Sequence, residues 1–508
     1  MPPSDPSAAA YSNQLGVGSD NHTNTGNGGS ADATTKGSPT DLIQCDLCII
    51  GAGSGGLSVA AAAAAFGQNV VLIEKHKMGG DCLNYGCVPS KALIAAGRRA
   101  HMIRTSAQFG VTARDLQIDP EAVSEHVKGV IAAIEPNDSI ERFTGLGVRV
   151  VTAAGRFVDK STVSAGGYRI KARRFVVATG SSPLIPNIPG LSEVPYFTNE
   201  TIFDNSTRID HLLIVGGGPI GLELAQAYRR LGSKVTVLEA ATAMAKDDPE
   251  MTRIVLDRLR EENIDIRENT HVEEVDTRFR NVTLTLRKGD STEVIEGSHL
   301  LIATGRKPNV TDVGLEAAGI KYTDKGIKVN RGLVTSNSRV YAIGGAQFTH
   351  IANYHAGIVI RRALFRLPAK TDTGLIPWVT FTDPELAHVG LQEEAAAGKH
   401  GKVNVLRWPY HENDRAQAER ATTGHVKVVT DKSGRILGAT IVGEQAGEII
   451  QMWALAISQK MNIKAMTGWI SPYPTLSEIN KRAAYKFYSK APSSPLIRKA
   501  IGFLAKFG

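Results

Sequence analysis

Cys82 and Cys87, in the stretch Gly79-Gly80-Asp81-Cys82-Leu83-Asn84-Tyr85-Gly86-Cys87-Val88-Pro89-Ser90-Lys91, are the residues whose types and spacing most directly suggest chemistry. Two cysteines separated by four residues can close a small disulfide loop at a helix entrance, with Lys91 one turn beyond Cys87. A thiol at a helix N-terminus is biased toward thiolate, because the dipole and the unpaired N–H groups favour negative charge there. The pair therefore reads as redox equipment rather than a structural staple. No second ligand pair completes a zinc site, and no metal centre is expected.

The elements that must position these thiols flank them. Cys48-Ile49-Ile50 leads into Gly51-Ala52-Gly53-Ser54-Gly55-Gly56, an alanine-rich helix follows, and Val70-Val71-Leu72-Ile73-Glu74 reads as a strand ending on an acid. Gly51 permits the tight turn, Gly53 lets a pyrophosphate approach the backbone, Gly56 lets helix pack on strand, and Glu74 can accept from a ribose hydroxyl. The pattern returns in His211-Leu212-Leu213-Ile214-Val215, Gly216-Gly217-Gly218-Pro219-Ile220-Gly221, a helix, and Val235-Thr236-Val237-Leu238-Glu239. First glycine and acid lie 23 residues apart in both copies, 51 to 74 and 216 to 239. Each copy is followed by an apolar strand ending in Ala-Thr-Gly, at Phe175 to Gly180 and at Leu300 to Gly305. Two such units predict an α/β chain with two dinucleotide sites.

Between the copies, Glu121 to Glu135 places Val123, Val127, Val130, Ile131 and Ile134 on one helical face. After residue 373 the pattern changes to a strand at Trp378 to Thr382, a hairpin at Gly424 to Thr430 with Arg435 to Gly443, and a helix at Glu448 to Lys460. These predict a separate α+β domain.

The 508 residues, 42% hydrophobic and 21% charged, suit a soluble globular chain. The formal net charge of +8 comes from 58 Lys+Arg against 50 Asp+Glu, spread along the chain. It is compatible with dinucleotides or an anionic membrane and makes no case for nucleic acid. Four cysteines do not make a secreted framework, so a cytoplasmic location is expected. Cys45 and Cys48 form a CxxC, but on a strand residues three apart point to opposite faces, and these thiols should not meet. Residues 1–40, rich in Ser, Gly, Asn and Thr, are expected to be disordered, with neither the arginines of a transit peptide nor the apolar core of a signal peptide. No apolar run has the length of a membrane span. The tail Ser494 to Gly508 mixes Leu496, Ile497, Ile501, Phe503, Leu504 and Phe507 with Arg498, Lys499 and Lys506. It reads as a short basic amphipathic helix suited to a membrane surface or to packing on a dimer.

Taken together, GxGxxG at 51–56, GGDCLNYGCVPSK at 79–91, ATG at 178–180, GGGPIG at 216–221, ATGRKPN at 303–309 and YPTLSE at 473–478 resemble the pyridine nucleotide-disulfide oxidoreductases. That flavoprotein group includes dihydrolipoamide dehydrogenase, glutathione reductase and mercuric reductase. The resemblance, over about residues 42–488, implies two Rossmann-like domains and a C-terminal dimerisation domain that builds a two-fold homodimer. The implied division is a first FAD-binding part at 41–190, an NAD(P)-binding domain at 191–310, a second FAD-binding part at 311–372, dimerisation at 373–488 and a tail at 489–508. It implies FAD held by Gly51, Gly53, Gly56, Glu74, Gly80, Thr179, Gly180 and Gly344, and a nicotinamide dinucleotide held by Gly216, Gly218, Gly221, Glu239 and Gly305. By the same resemblance electrons pass from nicotinamide through flavin to the pair, Cys87 is the thiolate against the flavin, Cys82 meets substrate, and Lys91 pairs with Glu223. Glu239 favours NADH and disfavours the extra phosphate of NADPH, which nearby basic residues could still accommodate.

Two departures limit the implied substrate. Where dihydrolipoamide and glutathione enzymes carry a His that works with a Glu, this chain has Tyr473, with Glu478 following. A phenol with a reference pKa of about 10 is a poor proton acceptor beside imidazole near 6.5. Mercuric reductase also lacks that His, yet this chain has no cysteine after Cys87 and no N-terminal GMTCxxC module to collect metal. The second departure is Gly344-Gly345, where the family carries Gly-Asp, the Asp holding the ribityl chain. Losing that bond would cost about 1.5–3 kcal/mol. The expected acceptor is a thiol, disulfide or thiophilic metal ion. A diaphorase reducing quinone or oxygen without the thiols, and a non-catalytic scaffold with weakened FAD binding, stay open.

Overall fold

Val, Ile and Leu runs buried on both faces decide the first layer. The computed structural model describes residues 41–507 except 280, 346, 347 and 490, so the expected disorder of residues 1–40 lies outside the described residues. Strand β1 (Leu42–Ile50) lies between β2 (Val70–Glu74) and the strand Tyr168–Val177, parallel to both. Parallel strands covered by helices read as continuous apolar runs, and Leu47 through Ile50 and Val70 through Ile73 are all buried. Helix α1 (Ser54–Ala65) joins β1 to β2, and its small side chains let it pack closely on the helix Thr349–Ala363. The sheet has seven strands. One of them, Val340–Ala342, pairs in parallel with Tyr168–Val177 from beyond the whole second nucleotide unit.

That second unit repeats the first. His211–Val215 runs parallel between Lys234–Leu238 and His299–Ile302 in a four-stranded sheet. The helix Pro219–Arg230 follows the glycine turn, with proline in its first turn, where no N–H is lost from the helix ladder. A three-stranded antiparallel sheet is inserted before His299.

The C-terminal region is a five-stranded antiparallel sheet with the hairpin His425–Thr430 and Ile436–Gly443 inside it. The helix expected from Glu448 begins earlier and is two pieces, Ala446–Ile449 and Gln451–Ser458. Gln445, at φ 55°, turns the chain into it, and the Glu385 carboxylate accepts from the Gly447 N–H at 2.8 Å, satisfying an otherwise orphaned helix donor. Charge ties this domain to the second unit. The buried Lys427 ammonium lies 2.7 Å from Asp248, 2.8 Å from Glu250 and 2.8 Å from Glu393. Arg407 and then Lys427 hold the Glu250 carboxyl far below the usual carboxylate range.

Candidate active site

The first glycine turn is shaped by backbone that leaves no room for side chains. Gly51 has φ 105°, and a Cβ there would stand 2.3 Å from the Ala178 carbonyl oxygen; a Cβ on Gly56 would stand 1.9 Å from the Gly51 carbonyl oxygen. Gly80, at φ 59°, roofs the turn, its own Cβ position only 2.7 Å from Gly53 Cα. Glu74 accepts from the Ala52 N–H at 2.7 Å and the His76 N–H at 2.9 Å. The Thr179-Gly180 turn is clamped by Asn309: the Thr179 hydroxyl donates to its carbonyl at 2.7 Å, and its side-chain amide donates to the Thr179 carbonyl at 2.9 Å. Gly344 donates to His355 Nδ1 at 3.3 Å, and a Cβ on Gly345 would meet nothing within 4 Å. A helix N-terminus stripped of side chains, with a carboxylate at the end of β2, fits the pyrophosphate and ribose of a dinucleotide.

The second turn has the same build. A Cβ on Gly216, at φ 119°, would stand 2.4 Å from the Ala303 carbonyl oxygen, and one on Gly221 would stand 2.1 Å from the Gly216 oxygen. Glu239 accepts from the Gly217 N–H at 2.8 Å and the Ala241 N–H at 2.9 Å. Cβ positions on Gly218 and Gly305 would meet nothing within 4 Å, so the approach to this turn is open.

Cys82 lies in α2 (Gly80–Asn84), and Cys87 is the first residue of α3 (Cys87–Thr105). All four cysteines are free thiols. The Cys87 thiol is pulled down to about 6, chiefly because the Cys82 thiol donates to it, with help from the Thr349 hydroxyl and the Lys91 charge and against burial and Asp81. Cys82 is pushed up for the same reason, by donating to Cys87 and by burial. At neutral pH the pair is one thiolate and one thiol. Thr349 Oγ1 lies 3.4 Å from the Cys87 sulfur and opens the helix Thr349–Ala363, so two helix N-termini meet at this sulfur.

Lys91 and Glu223 join the two nucleotide units. Lys91 Nζ donates to Glu223 Oε2 at 2.7 Å, and Oε1 of the same buried carboxylate accepts from the Phe381 N–H at 2.9 Å. The ammonium also sits 4.4 Å from the centroid of the Phe381 ring.

Tyr473 and Glu478 are not brought to the thiols within one chain. Tyr473 is 71% exposed and donates to Asp414 at 2.9 Å, which raises its pKa further; Glu478 pairs with Arg482 at 2.8 Å rather than with the tyrosine. Cys48 is fully buried, and burial lifts Cys45 to about 12, leaving both as unreactive thiols. Sequence reasoning misses Asp81, which holds the thiol loop through Arg306 at 2.9 Å and Asn199 at 3.2 Å. Asp81 and Arg306 stand inside quoted motifs and were within reach. Thr349, 262 residues from Cys87, carries no sequence signal.

Two thiols of opposite protonation, set between two glycine turns built to the same plan, define a flavin- and nicotinamide-linked disulfide reductase. Residues 45–359 match the family described as pyridine nucleotide-disulphide oxidoreductase, and residues 376–484 match its dimerisation domain. The chain belongs to this family, whose members depend on FAD and NAD(P)H. It is 35% identical to a mercuric reductase of Lysinibacillus sphaericus, over 87% of this chain and 82% of that protein. It is also 35% identical to a dihydrolipoyl dehydrogenase of Geobacillus stearothermophilus, over 87% of this chain and 96% of that one. Among solved structures it resembles the HOCl-induced flavoprotein disulfide reductase RclA from Escherichia coli. The TM-score is 0.77 at 25% identity, covering 86% of this chain and 99% of that one.

Proposed function

We propose that the protein is a homodimeric, NADH-dependent flavoprotein whose Cys82–Cys87 pair cycles between disulfide and dithiol and delivers two electrons to a soft, thiophilic metal ion. The observation that carries this reading is the setting of the two free thiols in α2 and at the start of α3, with the Thr349 hydroxyl 3.4 Å from the Cys87 sulfur and Lys91 one turn on, an arrangement that lowers the Cys87 thiol and leaves Cys82 protonated. Bound FAD, cradled by the first glycine turn, would supply two-electron exchange between nicotinamide and sulfur. Reducing the disulfide to this state takes two electrons and one proton. The proton ends on Cys82, and the negative charge on Cys87 is held by the Thr349 hydroxyl, the α3 N-terminus and Lys91. Glu223 fixes the Lys91 ammonium beside the pair, and Glu239 selects NADH by accepting from a ribose 2′-hydroxyl and repelling a phosphate.

The soft metal is favoured over a disulfide because thiol–disulfide exchange needs a proton acceptor for the outer thiol. Tyr473, its pKa raised by Asp414, is a poor one. A metal ion displaces the proton itself as sulfur coordinates it. The test is NADH-driven turnover of a Hg(II)–thiol complex, lipoamide, glutathione disulfide and quinones by the wild type and by Cys82→Ala. Metal turnover should fall roughly 100-fold or more in the variant. Quinone turnover that exceeds metal turnover and survives Cys82→Ala would instead establish a diaphorase.

A further inference from the structure

The chain beyond Glu478 holds none of the residues assigned above to the thiol chemistry, yet it concentrates the molecule's charge. Residues 479–508 hold seven Lys or Arg and no Asp or Glu, against a formal net charge of +8 for the whole chain. Among the described residues three of the seven are engaged with the body: Arg482 pairs with Glu478 at 2.8 Å, the Lys481 ammonium donates to the Trp469 carbonyl at 2.6 Å, and the Lys486 ammonium lies 4.8 Å from the centroid of the Trp408 ring. The last helix, Pro495–Leu504, has no buried residue. Leu496, Ile497, Ile501, Phe503, Leu504 and Phe507 are between 40% and 79% exposed. At 100° per residue these six fall within an arc of about 160°, and Arg498, Lys499 and Lys506 fall on the rest of the circumference. A helix packed on its own domain buries such an arc, and a solvated one does not carry it.

We propose that the helix Pro495–Leu504 docks the protein on an anionic lipid surface, with its apolar arc at the boundary of headgroups and acyl chains and its basic arc against the phosphates. The occupant follows from charge. Residues 479–508 carry seven of the eight net positive charges, so residues 1–478 of a second copy, with 51 Lys+Arg against 50 Asp+Glu, are close to neutral and offer no net negative field to the basic arc. An anionic bilayer complements both sides of the helix at once. Ten residues are too few to span a bilayer, which needs about 20, and no helix among the described residues is long and apolar enough to cross one. The attachment is reversible and lies on the surface.

The experiment is co-sedimentation of the flavin-loaded full chain with vesicles of phosphatidylcholine alone and of equal parts phosphatidylcholine and phosphatidylglycerol. The bound fraction should be about tenfold higher on the anionic vesicles and should fall as salt is raised. The double variants Ile501→Glu/Phe503→Glu and Arg498→Glu/Lys499→Glu should each return binding to the phosphatidylcholine level with thiol-dependent turnover unchanged. Binding that ignores lipid charge, or that both variants retain, overturns the proposal. So does loss of the dimer by light scattering in Ile501→Glu/Phe503→Glu when the wild type fails to bind vesicles, an outcome that assigns the helix to a second copy.

Discussion

At the first glycine turn a Cβ on Gly51 would stand 2.3 Å from a carbonyl oxygen, and at the second a Cβ on Gly216 would stand 2.4 Å from its counterpart. The acid at the end of each second strand accepts from a turn N–H, at 2.7 Å for Glu74 and 2.8 Å for Glu239. What differs is the surround. The first turn is roofed by Gly79-Gly80, with the Gly79 N–H donating to the Ala52 carbonyl at 3.0 Å, and its helix presents alanines to a neighbouring helix. The second turn is open at Gly218, and its helix carries Glu223, Gln226 and Arg230 outward to Lys91, Asp383 and Glu262. One turn chemistry thus serves two purposes: an enclosed cradle suits a resident cofactor, and an open one suits a dinucleotide that exchanges each turnover.

The sharpest way to break that comparison is to fill both turns. Gly51→Ala and Gly216→Ala face the same carbonyl clash at positive φ and should cost similar stability, several kcal/mol by about the scale of overpacking and backbone strain together. Their readouts should part. Gly51→Ala should purify with little flavin, whereas Gly216→Ala, where it folds, should keep flavin and lose reduction by NADH. Equal flavin loss in both would dissolve the distinction.

A second effect lies at the thiols between the turns. Cys87 has a depressed pKa, so its thiolate is present above about 6 and is lost as pH falls through that value. Ultraviolet titration of the reduced protein should show a half-point there, and Thr349→Val and Lys91→Met should each move it upward toward the ordinary thiol value. A titration already at that ordinary value in the wild type would remove the electrostatic account.

The smallest effect concerns affinity at the first cradle. Gly345→Asp has open space for its side chain and should restore a charge-assisted bond of about 1.5–3 kcal/mol to a cofactor hydroxyl, tightening FAD retention roughly tenfold or more. Equilibrium dialysis of bound flavin measures it, and no change would mean the ligand does not reach that loop.

Much of this was legible along the chain because it is local. The βαβ units, the positions of Gly51, Gly56, Gly216 and Gly221, and Glu74 and Glu239 follow from spacing within about 25 residues, the reach of one strand–helix–strand unit. The thiol pair and its helix are local too. Thr349 on Cys87, Phe381 on Glu223 and Arg306 on Asp81 are not, because each joins segments more than a hundred residues apart that meet only when sheets stack.

The sequence by itself determined two dinucleotide turns, one closely spaced thiol pair and a basic amphipathic tail, since each is set by residue type and short-range periodicity. Only the tertiary structure supplied the distant contacts that hold Cys87 as the thiolate the resemblance implies. A hydroxyl and a helix end from Thr349–Ala363 reach the Cys87 sulfur, on a segment that follows a strand joining the first sheet after the second unit is complete. Electric fields and hydrogen bonds act through space, so the protonation of Cys82 and Cys87 is a property of the fold.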